Sequence, residues 1–243
     1  MKLNELIHEI FATSQYDPNI FKAIFIVGAS EASKSYMIDE LALTSYGLKL
    51  VDSDDAFTYV LKKITDTLNL AHINYAVDVR DPVNKKVKDI TYRSLDRYVE
   101  GRTGLIISGT ASDISTIKKH YTQLKEVGYD QYVIFVNTNL ETTLKLNNAN
   151  AEQSIPEDIA VIKWHRHSNN WGKLFSVFGN EYGGIDNSEG LDITENIQNA
   201  QITVTRWINA PLTYVAKLWI QEMVRGKKMI RVSKELFIGF SPL

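Results

Sequence analysis

The segment Phe21–Val27 (FKAIFIV) is apolar at nearly every position. A half-exposed strand would alternate, so an unbroken run of this length reads as a strand buried on both faces of a parallel sheet. Three further short runs, Leu48–Val51, Gly104–Ser108 and Gln131–Asn137, read as strands as well. Helical character fills the intervals: 34–46 closing at Gly47, 55–75, Asp89–Glu100, 112–127 closing at Gly128, 140–150 and 156–178. In the last of these, Trp164, Trp171, Leu174, Phe175 and Phe178 fall at helical spacing and form an apolar stripe. Residues 76–89 are polar, with Asp81-Pro82 as a turn. Strands alternating with helices predict βαβ units, hence an α/β fold with a parallel sheet flanked by helices.

Punctuation divides the chain into three. Residues 1–20 read as a short amphipathic helix followed by the polar break Ser14–Asn19. The α/β unit runs over 21–187. Gly179–Gly190 holds four glycines in twelve residues and reads as a linker. A C-terminal extension then spans 191–243, with Pro211 opening a helix through Met223 and an alternating stretch from Gly226 to Phe240 that suits a strand pair or an extended arm.

Composition adds few restrictions. Hydrophobic residues make up 44% and charged residues 23% of the chain, ordinary for a soluble globular protein. There are no cysteines, which removes disulfides and thiolate metal sites. A net charge of −2 gives no general attraction to nucleic acid or membranes. The N-terminus lacks the apolar core of a signal peptide, and no run approaches the roughly 18 apolar residues that cross a bilayer. These features predict a cytoplasmic protein without membrane contact.

The candidate chemistry sits where the first strand meets the first helix. Gly28-Ala29-Ser30-Glu31-Ala32-Ser33-Lys34-Ser35 has the spacing of a phosphate-binding loop. In such a loop the backbone N–H groups cradle phosphate oxygens, the lysine meets the β- and γ-phosphates, and the hydroxyl binds Mg²⁺. Gly28, Ser33, Lys34 and Ser35 are therefore the candidate ATP contacts, with Ser35 on the metal. The loop is poor in glycine, which costs roughly 1–2 kcal/mol wherever positive φ is needed. Glu31 also sets a carboxylate close to the phosphate space. The same eight residues also suit a plain strand-to-helix turn with a serine cap.

With Asp52-Ser53-Asp54-Asp55, Gly101-Arg102-Thr103-Gly104-Leu105-Ile106-Ile107-Ser108-Gly109-Thr110 and Phe135-Val136-Asn137-Thr138 in order behind that loop, the chain resembles the zeta-toxin-like P-loop kinases of tailed bacteriophages. The resemblance covers about Phe21 to Asn187 and takes in Ser154-Ile155-Pro156, Trp164, Phe175 and Phe178-Gly179. It implies ATP and Mg²⁺ as cofactors and places Asp54 where the acidic residue after the second strand orients or deprotonates the acceptor hydroxyl. Asp52 to Asp55 equally suit a helix cap.

Three departures from the family set the functional expectation. Ser108 stands where an aspartate ends the third strand. The stretch Leu140–Ile159, matching the arginine-rich lid, contains no arginine and only Lys145, with Asn147, Asn148 and Asn150 in place of cations. The glycine-poor loop is the third. Loss of such arginines costs roughly 10³–10⁵ in rate where it has been measured. Arg93, Arg97 and Arg102 are the available replacement cations. The expectation is a degenerate, inactive kinase-like domain kept as a structural or interaction module, in the host cytoplasm or a phage virion. The alternative is an active phosphotransferase acting on a nucleotide, amino sugar or similar hydroxyl.

The extension adds one more expectation. Residues 201–243 hold seven Lys/Arg against two Asp/Glu, a net of +5. Trp207, Trp219, Phe237 and Phe240 lie among those cations. This is either a helix and strand packed back on the domain or a docking arm for a protein partner. Nucleic acid is the weaker candidate at that charge. His165-Arg166-His167 is no metal site, because residues two apart on a helix point about 200° apart.

Overall fold

The computed structural model describes residues 18–29, 34–53, 56, 60, 77–110, 114–149, 156–189 and 191–224. The expected α/β architecture is present. Five strands, β1 (Lys22–Gly28), β2 (Lys49–Val51), β3 (Leu105–Thr110), β4 (Asp130–Asn137) and β5 (Tyr182–Asp186), form one parallel sheet in the order β2-β3-β1-β4-β5. β1 is central and buried at every position, as its unbroken apolar run requires.

Strand alternation sends two sets of side chains to two faces. Phe25, Val27, Leu105, Ile107, Val133 and Phe135 meet four helices: α2 (Val77–Glu100), α3 (Ile114–Glu126), α5 (Glu157–Phe178) and α7 (Tyr214–Val224). Ile24, Ile26, Ile106, Ile134 and Val136 meet α1 (Lys34–Glu40) and α6 (Thr194–Ile208). The remaining helix, α4 (Leu140–Ala149), sits beside the strand ends. Each large apolar side chain removed from water on these faces is worth about 1.5–3 kcal/mol.

Four expectations are corrected. The helix foreseen over 34–46 stops at Glu40; Ala42 turns left-handed at φ 49, a short 3₁₀ turn follows over Leu43–Tyr46, and Gly47 closes it at φ 80. Leu41 and Leu43 are both fully buried, and one continuous helix would point them to different sides. The polar stretch with its Asp81-Pro82 turn lies inside α2, one helix of 24 residues. Pro82 falls in the second turn, where it removes a single ladder bond. Val83 and Val87 then join Ala56 and Val60 in a small cluster of their own.

The glycine-rich linker contains β5, which pairs along β4 from Val133↔Tyr182 to Asn137↔Asp186. The sheet itself ends at Asp186, within the 21–187 unit. Ile197, Val204 and Ile208 of α6 and Ala216 of α7 are core residues, so 194–224 belongs to the packed domain and is no separable extension. Lys22 fastens α6 to the sheet. Its ammonium meets Asp130 at 2.6 Å, donates to the Trp207 carbonyl at 2.8 Å and lies 5.2 Å from the Trp207 ring. The proposed N-terminal helix and the stretch 225–243 lie outside the described residues. No helix among the described residues is long and apolar enough to cross a membrane.

Candidate functional site

The carboxyl ends of β1, β3, β4 and β5 gather the candidate residues, as the crevice of an open parallel sheet does. Gly28 ends β1 between Thr110 of β3 and Val136 of β4. Lys34 opens α1 and is only 5% exposed, its amine donating to the Ala29 carbonyl at 3.0 Å. Ser35, one residue on, is exposed. Gly28, Lys34 and Ser35 are thus brought together; Ser33, Glu31 and Asp54 lie outside the described residues. Ser53, the neighbour of Asp54, lines a cavity under α2.

Ser108 sits on β3 opposite Ile26, buried, with its hydroxyl making no hydrogen bond. A neutral side chain here cannot balance a metal's charge. Arg102 is buried beyond the end of α2, donating to the Val99 carbonyl, at the edge of the sheet where β3 begins rather than where it ends. Arg93 and Arg97 are exposed on α2.

Sequence reasoning missed the network that fixes α4. Asn139 caps the helix, its Oδ1 accepting the Thr142 N–H at 2.7 Å. Its own N–H donates to the Ser188 hydroxyl at 2.8 Å, and that hydroxyl donates to Asp186 at 2.6 Å. The Glu189 N–H donates to the Thr142 hydroxyl at 2.7 Å, and Asn137 Nδ2 donates to Asp186 at 3.1 Å. Trp164 of α5 closes the set by donating to the Thr138 carbonyl at 2.8 Å. Thr142, Thr143 and Asn147 point inward; Lys145 pairs with Glu189 at the surface, where such pairs are worth little. The Asp186-Asn187-Ser188 triplet is the sequence signal, since Asp side chains bond the backbone two residues on, and here Asp186 accepts the Ser188 N–H at 3.0 Å.

His167 of α5 was also missed as a site neighbour. It is 1% exposed, stacks on Phe135 with ring centroids 4.4 Å apart, and neither ring nitrogen makes a hydrogen bond. Burial first and the charge of Lys34 second lower its pKa to about 4, so the ring is neutral. His165 is exposed, so the pair diverges as the helix geometry requires. Among the described residues no cluster of three His, Asp or Glu could hold a metal ion.

Against Mg·ATP, the fit is divided. Gly28, Lys34 and Ser35 suit phosphate at the strand end. Ser108 and the arginine-free α4 do not suit a metal-bound phosphate in transfer.

No family model and no curated protein sequence matches the chain. Solved structures do. A candidate kinase from Chloroflexus aurantiacus superposes with a TM-score of 0.52 at 12% identity, over 77% of this chain and 98% of its own. A chain of the PezAT chromosomal toxin–antitoxin system of Streptococcus pneumoniae superposes with a TM-score of 0.51 at 17% identity, over 92% of this chain and 91% of its own. Both likenesses, with the strand order and the placement of Lys34, give this chain the fold of the P-loop kinases.

Proposed function

We propose that the chain is a P-loop-kinase fold that has left phosphoryl transfer and serves as a structural and interaction module, in a phage particle or in its assembly. The observation that carries this reading is the state of α4. Transfer needs cations that close over the phosphates. Here the helix that would carry them turns Thr142, Thr143 and Asn147 inward and is tied by Asn139, Thr142, Ser188 and Asp186 to the turn after β5. Ser108 supports the same reading from the other side of the site.

The second reading, an ATP-dependent phosphotransferase, has one observation in its favour: Lys34 holds its amine at the end of β1. Turnover separates the two. Purified protein with Mg·ATP and a panel of nucleoside and amino-sugar acceptors should release or transfer no γ-phosphate beyond the Lys34→Ala background. Turnover that disappears with Lys34→Ala would establish the phosphotransferase.

The partner contact in this proposal falls to residues 225–243, which carry five Lys/Arg and one Asp/Glu. Because α6 and α7 are core, the informative truncation is after Val224. That chain should fold with an unchanged thermal midpoint and be missing from purified particles that contain the full chain. Equal incorporation of both would remove the docking role from this segment.

A further inference from the structure

Among the described residues the sheet ends at β5, which pairs with β4 on one side and with no strand on the other. The Val133 N–H donates to the Glu181 carbonyl and the Asn187 N–H to the Asn137 carbonyl. Odd-numbered residues of β5 therefore bond to β4, and the backbone groups of Tyr182, Gly184 and Asp186 point outward. Natural sheets blunt such an edge with lysine or proline. β5 carries neither; its middle is Gly183-Gly184, and Gly184 is exposed.

The two faces beside this edge differ. On the α5 side Trp171 is 38% and Phe175 56% exposed, each set edge to face with Tyr182. On the α6 side a half-open cavity of about 150 Å³ presents Asn196, Asn199 and Thr203 around an apolar base of Ile134 and Ile185. Residues 181–195 hold five Asp/Glu and no Lys/Arg, with Asp192 and Glu195 exposed. An extended, basic strand with one apolar face suits this edge. Residues 230–240 have that pattern. Ile230, Val232, Leu236, Ile238 and Phe240 alternate with a set that includes Arg231, Ser233 and Glu235, and 225–243 carries five Lys/Arg against one Asp/Glu.

The course of α7 decides which copy supplies the strand. Its start lies against Gly128, before β4, and Trp219 stands 5.5 Å from Phe21, before β1. The helix thus leads from the β4 side of the sheet to the β1 side, away from β5. At about 4.8 Å per strand, β5 lies about 10 Å behind β1. The helix from Trp219 to Val224 carries the chain about 7.5 Å further. Residues 225–228 span at most about 14 Å and fall short of the chain's own edge.

We infer that β5 of one copy receives residues 229–240 of a second copy as a sixth strand, with the even-numbered side chains over Trp171 and Phe175. The inference rests on the docking role given above to 225–243 and names a second copy of this chain as its partner.

The chain has no cysteine, so introduced ones report contacts directly. Tagged full-length Gly184→Cys is mixed, under mild oxidation, with untagged full-length chains carrying one cysteine at a position from 229 to 240. Gly184 faces Trp171, so even positions should link between copies at least about tenfold more than the odd positions beside them. In sedimentation at rising concentration the wild-type chain should self-associate. Gly184→Pro removes an outward N–H and no bond to β4, and should weaken that association about tenfold or more. Val232→Asp changes the donor strand instead and serves if Gly184→Pro does not fold. A monomeric wild-type chain, even and odd cysteines linked alike, or undiminished association of a folded variant would each overturn the inference. So would a chain with both cysteines that closes on itself at high dilution, since its own tail would then hold the edge. A chain truncated after Val224 that is missing from particles, with no link formed at Gly184, would overturn this inference and leave the docking role of the segment standing.

Discussion

Two buried lysines stand at opposite ends of the same strand. Lys22 opens β1 and Lys34 opens the helix that follows it, and neither is more than 5% exposed. Lys22 is ion-paired with Asp130, hydrogen-bonded to the last turn of α6 and set against the Trp207 ring. Its charge is answered within the fold, by a carboxylate and by the negative end of a helix. Lys34 donates to the carbonyl of Ala29 in its own loop, among other contacts. Burial is common to the two lysines, while the partners differ: a carboxylate holds Lys22, and a backbone carbonyl takes a hydrogen bond from Lys34.

The largest effect expected from this contrast is at Lys22. Asp130→Ala leaves an ammonium that is 2% exposed without its carboxylate. Breaking a buried pair from one side costs about 3–5 kcal/mol. For a domain of this size that is a fall of roughly 10 °C in thermal midpoint. A fall of only a degree or two would remove the framework role.

The histidine beside Lys34 gives the next effect. The His167 pKa is lowered from 6.5 to about 4, so the folded state binds that proton less well than the unfolded chain. Its contribution is complete above pH 6.5 and is lost as pH falls towards 4. Its full size is on the order of 3 kcal/mol. Asp96 acts in the opposite sense. Burial, with Glu100 adding to it, raises its pKa from 3.8 to about 6, so its contribution is full below pH 3.8 and is lost as pH rises to about 6. The two slopes oppose each other in the wild-type chain. His167→Phe should leave Asp96 unopposed, so that stability falls between pH 4 and 6, and Asp96→Asn should leave His167 unopposed, so that stability rises between pH 4 and 6.5. Denaturant midpoints at intervals of one pH unit read both; superimposable profiles for the three chains would contradict the assignment.

Smaller effects test the fixing of α4. Ser188→Ala removes the acceptor for the Asn139 N–H and the donor to Asp186, a loss of about 1–3 kcal/mol. Amide exchange over 140–149 should quicken more than exchange over β1. Uniform quickening would show that the network serves the whole domain rather than this helix. Lys34→Ala removes the bond to the Ala29 carbonyl among its contacts and should cost less than Asp130→Ala. A loss equal to that of Asp130→Ala would erase the contrast between the two lysines.

How much of this was legible in the sequence follows from how each element is built. β1, β3 and β4 are continuous apolar runs because helices cover both their faces, and such runs can be read directly. β5 has only Ile185 as a buried residue, and its glycines look like a linker. Their reason is proximity: a Cβ at Gly183 would lie 2.8 Å from the Tyr132 hydroxyl, and one at Gly184 would lie 3.4 Å from the Trp171 ring. Nothing local to 182–186 announces those neighbours. α6 was legible in the spacing of Ile197, Val204 and Ile208, but it lies between a glycine-rich stretch and a basic one, and composition pointed away from a core helix.

The candidate site divides the same way. Lys34 and Ser35 follow from loop spacing, which is local. The bonds from Asn139 and Thr142 to Ser188 and Glu189 join residues 47 to 49 positions apart and exist only because β5 lies beside β4. Once β5 was read as a linker, that network could not be foreseen.

The central claim, that a kinase fold has been kept while its phosphoryl chemistry was lost, is tested most directly by following release or transfer of γ-phosphate from Mg·ATP by the full chain beside a Lys34→Ala control. The account predicts the same background rate from both proteins. Turnover by the wild-type chain that vanishes in Lys34→Ala would contradict it.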